Sequence, residues 1–170
     1  HTISGDLFVS KEEEWIHLNF PGFKEKAIEI NPVLEKAIGA KIIAATQMHH
    51  FIVLEIEDSA IIPDLTPDLN VLMAFDTVIV TAKGTAASGY DFISRVFGPS
   101  IGIPEDPVTG SAHCCLGPYW GARLNKTEML AYQASARGGE VRVRLEGDRV
   151  RLSGKGVTVI KGTMKIPVAS

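Results

Sequence analysis

Cysteine, clustered basic charge and long apolar runs are what this 170-residue sequence has least of. Its two cysteines, Cys114 and Cys115, are adjacent, and neighbouring residues seldom meet disulfide geometry. They read as free thiols, which points to a reducing compartment, most simply the cytoplasm. They also lack C-x-x-C spacing, so both read as small core residues. The longest apolar runs, such as Val71 to Phe75, fall far short of the roughly 20 residues a membrane span takes, so no membrane partner is expected. The net charge is -3 with no block of Lys and Arg, which argues against a nucleic-acid partner, because neutralising phosphates takes a clustered basic face. The nearest approach to one is Arg137, Arg142, Arg144, Arg149 and Arg151, which strand alternation is expected to scatter over solvated edges. No charged n-region and apolar h-region are visible, so no secretory signal is read. Gly84 to Gly89 lacks the G-x-G-x-x-G pattern and reads as a hairpin loop. His49 and His50, neighbours on a strand, face opposite sides and cannot share an ion without an irregular backbone. No metal and no cofactor is implied.

What is present is ordinary globular material, with 45% hydrophobic and 22% charged residues, so neither disorder nor a membrane protein is indicated. The length suits one domain or two small lobes, able to bury roughly 70% of the unfolded chain's surface. The chain begins with His1 rather than Met, inside an apparent strand, and reads as a piece of a longer protein.

Strand alternation predicts a pair over Asp6 to Val9 and Trp15 to Phe20. Asn31-Pro32 and Gly39 bracket a short helix as N-cap, first position and stop, expected on the outside. Strands are predicted over Ile42 to Gln47, Phe51 to Glu57, Thr77 to Ala82 and Tyr90 to Phe97, with a second short helix from Thr66-Pro67 through Met73. Gly98 to Pro107 reads as a loop. Thr109 or Gly110 begins a helix ending near Leu124-Asn125. Strands then follow over Met129 to Ser135, Glu140 to Leu145, Arg149 to Ser153, Val157 to Lys161 and Met164 to Val168, divided by glycine turns. The apolar residues of the long helix, Ala112, Cys114, Cys115, Leu116, Tyr119, Trp120, Ala122 and Leu124, fall on nearly every side, and such a helix must be buried. The expected class is α+β, a mostly antiparallel sheet wrapped around one central buried helix.

The entrance to that helix carries the candidate chemistry: Gly102 to Trp120 reads GIPEDPVTGSAHCCLGPYW. The first amides of a helix lack internal partners and carry partial positive charge, so they attract anions. Gly110 lets a ligand approach the backbone, and Ser111 adds a hydroxyl. Taken alone, the simpler account is that Thr109 or Ser111 only caps the helix. Glu105-Asp106, restricted by Pro104 and Pro107, can likewise be read as helix-end charge or as a general acid and base at Asp106. His113 reads as a satisfied core histidine.

These residues match a known pattern. Tyr90 to Pro99 (YDFISRVFGP), Gly102 to His113 (GIPEDPVTGSAH), Pro118-Tyr119-Trp120 and Arg137-Gly138-Gly139-Glu140 resemble the PhzF-like, or phenazine biosynthesis-like, family. The opening Thr2 to Leu7 and the pair Phe20-Pro21 are similar to segments after that family's domain crossover. The resemblance implies a diaminopimelate-epimerase-like fold of two lobes, each a sheet around a helix, with the active site between the helix N-termini. It implies cofactor-independent isomerisation of trans-2,3-dihydro-3-hydroxyanthranilate, usually by homodimers. Asp106 would exchange a proton with the substrate, and Thr109, Gly110 and Ser111 would form the entrance that binds the carboxylate, with Ser111 also counted as catalytic. Thr109 stands where related epimerases carry a catalytic Cys, so a two-thiol mechanism is not implied. The family's acid/base Glu lies in a segment of the form E-V-P-L-C-G-H-A, which this sequence lacks. Residues 1–170 are therefore read as the C-terminal lobe of an isomerase whose other partner is the missing N-terminal lobe, with 1–10 and 158–170 as crossover strands. The isolated chain is expected to be inactive. The alternative is a non-catalytic small-anion-binding or protein-interaction module.

Overall fold

A computed structural model describes residues 7–163. Where capping signals are local, the elements follow the sequence closely. In α1 (Pro32–Ile38), Asn31 accepts a hydrogen bond from the Val33 N–H and Gly39 closes the helix at φ 71°. The helix does not simply lie outside, since Leu34, Ala37 and Ile38 are buried. In α3 (Gly110–Leu124), Asn125 adopts the left-handed conformation, φ 52°, and ends the helix. The second predicted helix shrinks to the single turn α2 (Leu69–Leu72), capped by Asp68, and a 3-10 helix at Ser59–Asp64 precedes it.

Among the described residues eleven strands form one sheet. They are β1 (Phe8–Glu12), β2 (Trp15–Pro21), β3 (Lys26–Ala27), β4 (Ile42–Met48), β5 (Phe51–Ile56), β6 (Thr77–Lys83), β7 (Phe92–Gly98), β8 (Ile103–Asp106), β9 (Glu128–Gln133), β10 (Gly139–Glu146) and β11 (Arg149–Lys155). The order across the sheet is β1-β2-β11-β10-β9-β7-β6-β5-β4-β3, with β8 branching from β7. Pairing is antiparallel except for β5 with β6 and β7 with β9. Parallel neighbours need a long crossover, and those two crossovers carry α2 and α3. The result is an α+β chain with a large mixed sheet and few helices.

Alternation along β5, β6 and β7 feeds two cores. Leu54, Ile56, Val78, Val80, Ile93 and Phe97 pack with α1 and the 3-10 segment on one face. Phe51, Val53, Ile79, Phe92 and Val96 pack with α3 on the other. From α3, Tyr119 reaches Glu55 of β5, Trp120 reaches Thr81 of β6 and stacks on Phe92 of β7, and Gly117 lies against Val143 of β10 and Val150 of β11. From β5 to β11 is five strand spacings, about 24 Å, so a flat sheet could not touch one helix at all these points. The sheet therefore curves toward α3. Close approach depends on Gly121, where a Cβ would stand 2.4 Å from Leu145 Cδ1. Pro118 lacks the N–H that would bond the Cys114 carbonyl, and the Phe23 N–H takes its place at 3.2 Å. Ala122 is exposed, so the last turn of α3 emerges from the core.

Four expectations change. Gly98 to Pro107 is not all loop: β8 pairs with β7, and Pro104 is tolerated because β8 is an edge strand. Val157 to Lys161 forms no strand, because β2 begins at Trp15, opposite Lys155, and among the described residues nothing beyond it offers a ladder. Val157, Val159 and Ile160 are left 87%, 84% and 86% exposed. The arginines of β10 and β11 are not scattered: Arg142, Arg144, Arg149 and Arg151 share the face of the sheet opposite Val143 and Val150, with Arg144 directly across from Arg151. Glu12, Glu128 and Glu146 neutralise Arg151 and Arg144, Asn19 accepts from Arg149, and Arg142 stacks on Trp15. Finally, His49 takes φ 55° in the tight β4–β5 turn, so the His49 and His50 Nδ1 atoms meet after all. Among the described residues, however, no group of three or more His, Cys, Asp or Glu could hold a metal. Of the segments read as crossover strands, Phe8 to Ser10 lie in β1, Leu7 and 158–163 have no regular structure, and 1–6 and 164–170 fall outside the described residues, which takes with them Asp6 and the predicted strand from Met164. Among the described residues no helix is long and apolar enough to cross a membrane.

Candidate active site

Thr109 occupies the N-cap of α3 but makes no side-chain cap. Its hydroxyl instead donates to Asp106 Oδ2 at 2.5 Å, while its own N–H donates to Gln133 Oε1 at 2.9 Å. Gln133, fully buried on β9, turns its Nε2 to the Asp106 carbonyl at 2.6 Å and to Thr109 Oγ1 at 3.1 Å. The loop from Asp106 to Thr109 is thus closed around one amide side chain. The N-cap residue holds a carboxylate instead of its own helix, and the first turn of α3 is left without a side-chain cap.

Glu105, the neighbour of Asp106, has a different task. Arg95 holds it in a two-point fork, Nε to Oε1 at 2.7 Å and Nη2 to Oε2 at 2.9 Å. The remaining Arg95 donors go to the carbonyls of Ile62 and Leu65. The fork fastens β8 to β7 and fixes the strand from which Asp106 projects. On the far side, Ser135 Oγ donates to the Pro107 carbonyl at 2.7 Å and accepts from the Gly138 N–H at 3.1 Å.

Beneath the helix entrance His113 is completely buried. The Thr109 carbonyl accepts from its Nδ1 at 2.7 Å, which fixes Nδ1 as the protonated nitrogen, and Nε2 is buried without a hydrogen-bond partner among the described residues. Burial lowers its pKa to about 4, with the Thr109 carbonyl pulling weakly the other way. It is therefore a neutral core histidine, but not a fully satisfied one. Burial pushes the Cys114 thiol up to about 12 and the Cys115 thiol higher still, so neither is a nucleophile.

Of the predicted site residues, Asp106 and Thr109 are brought together, Gly110 and Ser111 follow as the first turn of α3, and Ser111 is exposed. An open cleft of about 830 Å³ lies in front, lined by Gly110 with Val108, Trp15, Leu18, Leu152 and Arg137 among others. Asp106, Thr109 and Ser111 lie outside that lining. The supports Gln133, Arg95 and Ser135 escape sequence reasoning. A signal for the first exists, since Gln133 shares the inward phase of Met129 and Ala131 on β9.

The sequence profile of the PhzC-PhzF family, described as phenazine biosynthesis-like protein, matches residues 2–162. The chain belongs to the phenazine biosynthesis-like family. It is 45% identical over 167 residues to an uncharacterized isomerase of Halalkalibacterium halodurans, covering 96% of this chain and 63% of the relative. It is 36% identical over 182 residues to phenazine biosynthesis-like domain-containing protein 2 of Mus musculus, again with 96% and 63% covered. The crystal structure of a phenazine biosynthesis protein of the PhzF family from Enterococcus faecalis superposes with a TM-score of 0.84 at 42% identity, covering 90% of this chain and 58% of that one. The fold is therefore that of the PhzF proteins, and the chain spans less than two thirds of the length of these relatives. In this PhzF fold the Asp106–Thr109–Gln133 cluster and the first turn of α3 form a single entrance.

Proposed function

We propose that this chain supplies half of the active site of a cofactor-independent isomerase that moves a proton on a small amino or hydroxy acid resembling dihydro-hydroxyanthranilate. The observation that carries the reading is the entrance to α3: a carboxylate aimed by Thr109 Oγ1 stands beside a helix N-terminus that no side chain caps. Anions bind at such ends through backbone N–H groups and the helix dipole, so the substrate carboxylate sits on Gly110 and Ser111. Asp106 then takes and returns the proton, a role worth roughly 10² to 10⁴ in rate. The isomerase names of relatives such as that of Halalkalibacterium support this class. The second acid/base group comes from a companion lobe in a diaminopimelate-epimerase-like arrangement, and the exposed Phe8, Val9, Val157 and Ile160 are apolar surface suited to meeting it.

The test is to incubate the full-length protein with trans-2,3-dihydro-3-hydroxyanthranilate in D₂O and follow deuterium entry by mass spectrometry. Exchange should occur and fall at least about 10²-fold in Asp106→Asn. A substrate that binds but takes up no solvent deuterium sinks the isomerase and leaves the anion-binding module.

A further inference from the structure

Four charged side chains line the cleft in front of α3: Glu14, Arg137, Glu140 and Lys155. Lys155 is paired with Glu14 at 2.6 Å, and Glu140 accepts from the Tyr90 hydroxyl at 2.9 Å. Among the described residues lining the cleft, Arg137 is the one charged group with neither an ion pair nor a hydrogen bond.

Arg137 is nevertheless carried on a fixed turn. Ser135 Oγ ties that turn to the Pro107 carbonyl and to the Gly138 N–H. Gly139 is pressed against the site loop so closely that a Cβ there would stand 2.4 Å from Val108 Cγ2. Gln133, two residues before Ser135, holds Asp106 and Thr109. The segment that aims the site carboxylate thus also sets the base of the guanidinium, and Arg137 faces the same cleft as Gly110.

We infer that Arg137 is a specificity-determining residue for this site, selecting ligands that carry a carboxylate and holding that group jointly with the amides of α3. A guanidinium presents a planar fork that matches a carboxylate, an advantage Lys does not share. An exposed, unpaired cation that faces the same cleft as a helix N-terminus discriminates against neutral analogues of the same shape, because both features favour negative charge. The inference rests on the reading of the α3 entrance as a substrate site, but it concerns charge selection and not proton transfer.

The test uses anthranilate and its neutral isostere anthranilamide as probes, with calorimetric titration into the full-length protein. The wild type should bind anthranilate at least about tenfold more tightly than the amide. Arg137→Gln should abolish that preference while leaving the affinity for the amide within about twofold, and Arg137→Lys should restore part of it. In turnover, Arg137→Gln should raise KM about tenfold with kcat little changed, the pattern of lost uniform binding. Undiminished discrimination in Arg137→Gln, or no discrimination in the wild type, overturns the inference. Discrimination that depends on Arg137 in a protein that exchanges no deuterium would uphold it and remove the isomerase reading alone.

Discussion

The entrances of α1 and α3 begin with the same kind of residue and end in different uses of it. Asn31 bends back onto the Val33 N–H and closes its own helix. Thr109 turns away from its helix, gives its hydroxyl to Asp106, and leaves the first turn of α3 uncapped. Capping preference describes the first case fully and the second not at all, because a short polar side chain has several local acceptors to choose from. What decides is the surroundings. The α1 entrance is exposed, with nothing else to bond, whereas Gln133 reaches Thr109 from a neighbouring strand. One end caps its own helix, and the other leaves its first turn open, as the proposed binding role requires.

The largest effect should come from Gln133→Leu. The side chain is fully buried and satisfies the Asp106 carbonyl, the Thr109 N–H and Thr109 Oγ1. Its loss leaves three part-buried polar groups without their partner, at about 1 kcal/mol each, so urea unfolding should show a loss of about 3 kcal/mol together with loss of turnover. If stability fell while activity held, the Asp106 loop would not need its support and the contrast between the two helix ends would collapse.

Acid should separate the ends next. The pKa of His113 is lowered to about 4, so protons bind the unfolded chain more tightly than the folded one. Stability from the neutral imidazole is complete above about pH 6.5 and is lost between there and pH 4. At pH 5 the loss should be about 2 kcal/mol, read from urea midpoints at pH 7.5 and 5. His113→Gln should flatten the slope, while Asn31, an amide, gives the α1 entrance no such dependence. An unchanged slope in the variant would mean that other groups carry the acid sensitivity.

How much of this could be read from the sequence follows the same division. The bounds of α1 and α3 and the presence of strands β5 to β7 depend on neighbours in the chain, and they were legible, whereas the left-handed turn at His49 that overturns the strand reading of His49-His50 was not. The β7–β8 pairing, the Arg95–Glu105 fork and the role of Gln133 depend on strands far apart in sequence, the last through the parallel pairing of β9 with β7. The strand expected at Val157 failed for the complementary reason, since β-branched residues form no ladder without a partner. At the site, Asp106, Gly110 and Ser111 stood out by their order. Which of them Thr109 would serve was fixed only by tertiary contacts.

The smallest effects make the sharpest pair. Asn31→Ala should cost about 1 kcal/mol of stability, the usual value of a lost N-cap, and leave turnover within about twofold. Ser111→Ala removes an exposed hydroxyl that makes no hydrogen bond within the described chain, so its stability should change by less than about 0.5 kcal/mol. Its activity in the full-length protein should nevertheless fall about tenfold, as expected when a donor to a bound anion is lost. Thermal unfolding and initial rates on both variants give a two-by-two comparison in which each change moves one readout only. Were Ser111→Ala to cost as much stability as Asn31→Ala, Ser111 would be the missing cap of α3, and the helix entrance would be an ordinary helix end after all.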